Sequence, residues 1–295
     1  MCFFHMSPSK SNISGELDSL NDNMRISLAQ VRCALGDKEE NLKRMQKALK
    51  KVDADLYVFA ETYLTGYMCR DQFYPLAERT DGRSVKKVAK MAKERECSVI
   101  FGMPVEDQDI PGVLRNSAVC VSPDGEVRRY DKLFLANFGP FEEGLYFGPG
   151  KGPVMFDVNG TKVGAIICFD VFFPEITKSY ALNGAEVVVC ISASPVTSRP
   201  FFEALVPARA IENTIYMVYV NQVGTQLNQV YFGGSTAVGP RGENMVKNKY
   251  YEEDITVIET GPAQLEIARR FRPTVADTLT RIPIDTCKIE NSQRK

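Results

Sequence analysis

A cysteine stands where an apolar stretch meets a turn, in the segment GAIICFDVFFPE at residues 164–175. The apolar run predicts a buried strand that ends at Cys168. Pro174 and Glu175 predict the first turn of a helix, because proline and an acid both suit that position. A thiol at such a junction lies among unpartnered backbone N–H groups, which favour thiolate and can bind an oxyanion. Cys168 is therefore a candidate nucleophile, and the alternative is a buried core cysteine, as free thiols often are.

The histidine content restricts which base could serve that thiol. His5 is the single histidine of the 295 residues, and it lies in a polar N-terminal segment. A Ser-His-Asp triad or a Cys-His pair would need this histidine at the site, and a zinc centre built on several histidines is excluded. The base is then expected to be a carboxylate or a lysine, and we expect neither a metal nor a cofactor in the reaction.

Two charged residues follow predicted strands and meet that requirement. Glu61 comes directly after the apolar stretch at residues 56–60, and Lys132 lies in the segment VRRYDKLF at residues 127–134. Either residue alone is more often a solvated strand end, since charged residues are mostly exposed. The functional interpretation depends on both occurring together with Cys168.

Taken together, these segments resemble the nitrilase superfamily of carbon–nitrogen hydrolases, which uses a glutamate–lysine–cysteine triad. The resemblance implies that Glu61 is the general base, Lys132 stabilises the oxyanion and Cys168 is the nucleophile. It extends in the expected order from about residue 25 to residue 273. Supporting motifs are the segment PARAIEN at residues 207–213, Asn221 and Gly224.

The resemblance also implies residues that would contact the substrate. Glu143 corresponds to a second glutamate that often lines the pocket, and Phe169 stands where the family usually has tyrosine. Phe138 and Tyr67 are expected at the same pocket. Asp170 follows the cysteine by two positions, as in amidase-type members, which favours an amide substrate over a nitrile.

The residue types predict how the reaction would proceed. A glutamate with an ordinary pKa of about 4.3 is a weak base toward a thiol with a pKa of about 8.5. Burial is expected to raise the pKa of Glu61, while Lys132 and the helix start are expected to lower the pKa of the Cys168 thiol. The cysteine would then form a thioester and release ammonia or an amine.

Three functions stay open from the sequence. The first is an amidase or N-carbamoyl hydrolase acting on a small molecule, with a nitrilase as its variant. The second is a glutaminase subunit that feeds a separate synthetase, because residues 28–67, 137–147 and 221–235 resemble the glutaminase domain of NAD synthetases. Phe169 and Asp170 depart from the Glu-Asp pair of that domain, and the sequence contains no Ser-Gly-Gly-x-Asp-Ser nucleotide loop. The third is a non-catalytic binding protein of the same fold, which the intact triad disfavours.

Composition excludes other classes of function. The net charge is -1, so no electrostatic footprint for nucleic acid or acidic membranes exists. No apolar run reaches the length of a membrane span. Eight cysteines without a Cys-x-x-Cys pair predict reduced thiols and a cytoplasmic location.

Alternating strand and helix patterns predict the elements that would place these residues. Helices between strands, together with hairpins at Asp124-Gly125 and Asn159-Gly160, imply mixed sheets covered by helices. The resemblance makes this a four-layer α-β-β-α sandwich of the nitrilase type, an α/β fold. The predicted strands are 26–31, 56–60, 99–103, 117–121, 126–132, 154–158, 162–167, 187–191, 215–220, 236–238 and 255–259. One predicted helix begins after Asp37, its N-cap. The other predicted helices cover residues 82–95, 174–183, 201–213 and 264–270.

The chain is expected to form one hydrolase domain over residues 25–295. Residues 1–24 are rich in Ser, Asn and Asp and predict a disordered extension, with Met24 as an alternative start. From about residue 273, an apolar extended tail is expected to cross to a twofold-related copy, giving a homodimer or higher homo-oligomer. Packing of the tail on its own subunit is the alternative.

Overall fold

The computed structural model describes residues 23–281, which contain fourteen strands and seven α-helices. The strands are β1 (Met24–Gln30), β2 (Leu56–Val58), β3 (Ser98–Glu106), β4 (Leu114–Val121), β5 (Val127–Asp131), β6 (Met155–Val158), β7 (Thr161–Ile167), β8 (Val187–Ser192), β9 (Tyr216–Asn221), β10 (Val223–Gln226), β11 (Gln229–Phe232), β12 (Thr236–Val238), β13 (Asn244–Lys247) and β14 (Asp254–Thr260). The helices are α1 (Lys38–Lys51), α2 (Phe73–Leu76), α3 (Arg83–Arg95), α4 (Pro174–Leu182), α5 (Arg199–Asn213), α6 (Pro262–Phe271) and α7 (Thr274–Arg281).

Twelve of the strands form two six-stranded sheets. The first sheet has the order β14-β1-β2-β3-β4-β5 and the second has the order β13-β12-β9-β8-β7-β6, while β10 and β11 pair separately. In each sheet three central strands are parallel, namely β1-β2-β3 and β7-β8-β9, and antiparallel strands flank them. Parallel strands that are buried on both faces are typically unbroken apolar runs, and the VVVCIS stretch of β8 is fully buried.

The two sheets pack face to face between two layers of helices. Side chains from both sheets, such as Leu28 and Val189, form the core between them. Helices α1 and α3 cover the outer face of the first sheet, and α4 and α5 cover that of the second. The predicted α-β-β-α sandwich is thus confirmed. Within residues 23–281, no helix has the length and apolarity needed to cross a membrane.

Local signals explain several element boundaries. The Asp37 carboxylate accepts the backbone N–H of Glu40 at 2.9 Å and caps α1 as predicted. The β6–β7 hairpin turns at Asn159 and Gly160, whose φ angles are 51° and 83°. Positive φ at both central residues suits the right-handed twist of paired strands, which is why Asn-Gly is favoured there.

The structure differs from the predicted elements in three places. Strand β2 ends at Val58, so Glu61 lies in a turn rather than at the strand end itself. The β10–β11 hairpin and β13 were not predicted, and each of these strands has only four residues. Met24, assigned to the extension, begins β1. Residues 1–22 of that extension lie outside the described residues.

The C-terminal segment is also different from the predicted extended tail. Thr274–Arg281 forms α7, and Val275 packs against the core under α4 and α5. Pro273 directly precedes this helix, a position where proline is compatible with helix formation. The remainder of the predicted tail, residues 282–295, lies outside the described residues.

Gly102 in β3 permits the close approach of the turn that carries Glu61. A Cβ on Gly102 would lie 2.7 Å from the Glu61 Cα and still closer to the backbone nitrogen of Thr62. Backbone hydrogen bonds join Gly102 to Ala60 and Leu64, so the turn is fastened to the strand on both sides. Any side chain at this position must therefore displace the turn.

Gly102→Ala is expected to lower the free energy of unfolding by about 1–3 kcal/mol, as overpacking does. Gly152→Ala is the matched control, because a Cβ there meets nothing within 4 Å. Urea unfolding of both variants measures the difference. An equal free energy of unfolding for the two variants would mean that the turn carrying Glu61 can move away from β3 without loss of stability.

Candidate active site

Three side chains from three elements meet at one end of the two sheets. Glu61 lies in the turn after β2, Lys132 directly follows β5, and Cys168 directly follows β7. The first two belong to the first sheet and the cysteine to the second, so the site lies where the sheets face each other. The Lys132 Nζ is 2.9 Å from Glu61 Oε1, and both side chains are completely buried.

The Glu61 carboxylate is fixed by hydrogen bonds from both sheets. Its Oε1 accepts the Asn116 amide at 2.8 Å in addition to the Lys132 ammonium. Its Oε2 accepts the backbone N–H of Ala193 at 2.8 Å. Asn116 lies in β4 and Ala193 directly follows β8, so the carboxylate links the two sheets.

Glu143 and Tyr67, both predicted at the substrate pocket, lie on the other side of the lysine. Glu143 Oε1 accepts Lys132 Nζ at 2.7 Å and the Tyr67 hydroxyl at 2.6 Å. Glu143 Oε2 accepts the backbone N–H of Ala136 at 3.0 Å. The second glutamate is thus a buried partner of the lysine.

Cys168 has an unusual backbone conformation. Its φ is 49°, in the left-handed region that non-glycine residues rarely adopt. It begins the turn that separates β7 from α4, and this turn has the 3₁₀ form over Cys168–Phe172. The sulfur lies 3.6 Å from the Ser194 hydroxyl. Strained backbone of this kind is concentrated at functional sites.

The pKa of Glu61 is raised, as predicted, whereas the pKa of the Cys168 thiol is also raised, although we expected it to be lowered. Burial raises the pKa of the Glu61 carboxyl against the opposing charge of Lys132. Burial, with the charge of Glu61 adding to it, raises the pKa of the Cys168 thiol to about 12. The expected lowering of the thiol pKa by Lys132 is present, but burial and the charge of Glu61 outweigh it.

The lysine itself stays charged. Burial alone would lower the pKa of the Lys132 ammonium, but the charges of Glu143 and Glu61 outweigh that effect and raise the pKa well above its usual range. An ammonium has three N–H donors. Two of them are used on the two glutamates, which leaves one for a further acceptor.

Asp170 has a structural role that the sequence did not indicate. Its carboxylate accepts the Tyr130 hydroxyl at 2.7 Å and the backbone N–H groups of Ile167 and Phe134 at 3.0 and 2.9 Å. These partners flank Lys132 and the cysteine, so Asp170 ties the two segments together. Burial raises the pKa of Asp170 to about 6.

The segment after β8 was also missed. The backbone N–H of Ala193 donates to the Glu61 carboxylate. The Ser194 hydroxyl contacts the Cys168 sulfur, and it shares a hydrogen bond of 2.6 Å with the Ser192 hydroxyl. Asn221, noted as a family motif, binds the Ser194 backbone through its side chain. The available signal was a small polar stretch directly after an unbroken apolar strand.

Phe138 and Phe169, the other two predicted substrate contacts, pair with each other. Their ring centroids are 4.8 Å apart. Phe169 directly follows the candidate nucleophile, and 49% of the Phe138 surface is exposed. The two rings therefore place apolar surface near the thiol.

An α-β-β-α sandwich with a buried Glu-Lys pair beside a strained cysteine defines a hydrolase fold of the nitrilase type. Residues 25–270 match the family model described as carbon-nitrogen hydrolase. The chain belongs to this family, in which a cysteine is the nucleophile.

Similar proteins include amidases and larger synthetases. An (R)-stereoselective amidase of Pseudomonas sp is 34% identical over 250 residues, covering 84% of this chain and 88% of that protein. A glutamine-dependent NAD(+) synthetase of Aquifex aeolicus is 31% identical over 242 residues, covering 80% of this chain. The chain spans about half the length of such synthetases, 42% in that case. A solved amidase from Nesterenkonia sp. is 28% identical with a TM-score of 0.72, covering 84% of this chain and 96% of that one.

The raised thiol pKa predicts how Cys168 reacts with iodoacetamide. Because the thiolate is the reactive form, its labelling rate should rise through about pH 7 to 10 without a plateau. Peptide-resolved mass spectrometry measures the rate, with the partly buried Cys33, whose pKa burial also raises to about 12, as an internal comparison. A plateau below about pH 8 would mean that the thiolate is preformed.

Glu61→Gln should increase the labelling of Cys168 at neutral pH, because it removes a charge that raises the thiol pKa. The same variant should lose turnover if Glu61 is the base. Glu142→Gln, at an exposed neighbour of the site, is the control and should change neither quantity. Slower labelling in Glu61→Gln would show that the carboxylate assists the thiol even toward an alkylating agent.

Proposed function

We propose that the protein hydrolyses the amide of a small molecule through a thioester on Cys168, with Glu61 as base and Lys132 as oxyanion donor. The observation that supports the proposal is the buried ion cluster in which Lys132 Nζ binds Glu61 at 2.9 Å and Glu143 at 2.7 Å. A charged lysine with one spare donor beside a thiol suits acyl transfer.

The first step forms the carbon–sulfur bond. Glu61 takes the thiol proton while the sulfur of Cys168 attacks the amide carbon. Because the thiol pKa is raised, the proton moves during the attack rather than before it. The oxyanion receives the third N–H of Lys132 and the backbone N–H of Phe169, which lies at the start of a 3₁₀ turn where N–H groups lack helical partners.

The second step breaks the carbon–nitrogen bond. Glu61 returns its proton to the nitrogen, ammonia leaves, and the acyl group remains on Cys168 as a thioester. Water then attacks the thioester while Glu61 takes a proton from it. The carbon–sulfur bond breaks, the carboxylic acid leaves, and the thiol is restored.

Glu143 and Tyr67 act as positioning residues in this proposal. Glu143 holds the ammonium from the side opposite Glu61, and the Tyr67 hydroxyl holds Glu143. The lysine therefore cannot turn away from the oxyanion without leaving a buried carboxylate unpaired, which is costly.

A glutaminase subunit is the second candidate. The match to one part of a glutamine-dependent NAD(+) synthetase favours it. Such a subunit would hydrolyse glutamine, and a separate synthetase would stimulate it. A nitrilase is the third candidate, and it differs in acting on a carbon–nitrogen triple bond.

An ammonia-release assay over primary amides, N-carbamoyl amides, nitriles and glutamine tests the proposal. Cys168→Ala should abolish turnover and keep the thermal unfolding profile, since only a sulfur is removed. Cys168→Ser should be nearly inactive, because a carboxylate is a weak base toward a hydroxyl. Cys120→Ala removes a buried sulfur from the core between the sheets and should remain active. Turnover by Cys168→Ala, or turnover of nitriles alone, would contradict the proposal.

We propose in addition that two copies pair through the C-terminal helices. Ile267, Phe271 and Leu279 on α6 and α7 are 44%, 77% and 57% exposed. Exposed apolar side chains on neighbouring elements often mark contacts between subunits.

Phe271→Ser combined with Leu279→Ser is expected to convert the dimer to a monomer. Leu227→Ser, at a 61% exposed leucine of the separate β10–β11 hairpin, is the control and should remain dimeric. Light scattering at micromolar concentration distinguishes the two states. A monomeric wild-type protein, or a double variant that stays dimeric, would rule out this contact.

A further inference from the structure

A connected group of phenylalanine rings surrounds the residue that follows the nucleophile. The ring centroid of Phe169 lies 4.8 Å from that of Phe138 and 5.3 Å from those of Phe172 and Phe173. Phe138 in turn lies 5.5 Å from Phe141. We call this group the aromatic mouth. Its members are Phe134, Phe138, Phe141, Phe169, Phe172 and Phe173.

Part of the aromatic mouth is open to water. Phe138 is 49% exposed and Phe134 is 37% exposed, although each contacts another ring of the group. Apolar rings gain free energy when they are covered, and contiguous exposed apolar surface marks a binding site. Phe169 directly follows Cys168, so a molecule that covers these rings also covers the residue next to the candidate nucleophile.

Apart from the two N–H groups assigned to the oxyanion, the buried polar side chains nearest the mouth are already paired. The Tyr67 hydroxyl and both oxygens of Glu143 are used around Lys132. Within residues 23–281, the contacts between cations and rings occur at Tyr250, away from the mouth. An α-ammonium and α-carboxylate of an amino acid would therefore lose water here without gaining partners, which is unfavourable.

One neighbouring cavity has a different chemistry. Arg70 and Glu142 line it together with Tyr67 and Tyr146. Its charged groups could bind an amino-acid substrate. The cysteine does not line this cavity, so the aromatic mouth is the surface that continues directly from the nucleophile.

We infer that the aromatic mouth binds the acyl part of the substrate, and that this part is an apolar aryl or alkyl group on a primary amide. The inference rests on the proposed amidase function. A primary amide loses only ammonia, so its acyl group alone distinguishes one substrate from another. The same group stays beside Phe169 while it is bonded to Cys168 as the thioester, and it leaves as the carboxylic acid.

Substrate comparison tests the inference separately from the proposed function. We expect kcat/KM for 3-phenylpropionamide and hexanamide to exceed that for propionamide by about 10- to 200-fold, the range for added apolar groups in a matching pocket. Glutamine should be hydrolysed more slowly than either apolar amide. Equal rates for all amides, or a preference for glutamine, would overturn the inference and leave an amide hydrolase in place. Failure to hydrolyse any amide would overturn the proposed function itself.

A substitution in the mouth supplies the second test. Phe138→Ala should lower the ratio of kcat/KM between 3-phenylpropionamide and propionamide by about tenfold, mainly through KM for the larger amide. Phe138→Leu should restore part of that ratio. Leu227→Ala, at an exposed apolar residue of the separate hairpin, should keep the wild-type ratio. A ratio unchanged by Phe138→Ala would show that the mouth does not hold the acyl group.

Discussion

The ammonium of Lys132 is buried completely, and the side chains around it offset the free-energy cost of that burial. Taking a single charge out of water costs several kcal/mol even after relaxation. Here Glu61 and Glu143 contact the ammonium from two sides. Each carboxylate is satisfied in turn by donors such as Asn116 and Tyr67. These contacts connect β4, the turn after β2 and the loop after β5 to one another.

Burial and the same cluster together set the protonation state of the thiol. Burial is the largest cause of the raised pKa of Cys168, the charge of Glu61 adds to it, and the ammonium of Lys132 opposes both without outweighing them. A protonated thiol is less prone to oxidation and alkylation than a thiolate. In the proposed mechanism, the thiol therefore stays unreactive until a substrate carbonyl next to Lys132 favours proton transfer.

Much of this could be read from the sequence, because apolar runs lead to Glu61 and Cys168 and a hairpin strand leads to Lys132. The Asn-Gly turn of β6–β7 followed from a local signal, whereas the four-layer fold and the joint role of the three residues followed from the resemblance to the nitrilase superfamily. The donors from Asn116 and Ala193 could not be read, since one lies inside a strand and the other is a backbone N–H. The sign of the thiol pKa shift was missed because it depends on how deeply Cys168 is buried and how near Glu61 lies, which the sequence does not give. Helix α7 was missed because a proline before an apolar segment also fits an extended chain.

Glu61 takes a hydrogen bond from Asn116 on the first sheet and another from Ala193 at the end of the second. The proposed base and the proposed nucleophile thus come from separate sheets and meet only when these sheets are docked. A partly folded state with both sheets formed but undocked would keep its secondary structure and have no assembled site. The proposed hydrolysis would consequently report the docking of the sheets, and it would be more sensitive than circular dichroism to the loosening of the inter-sheet core.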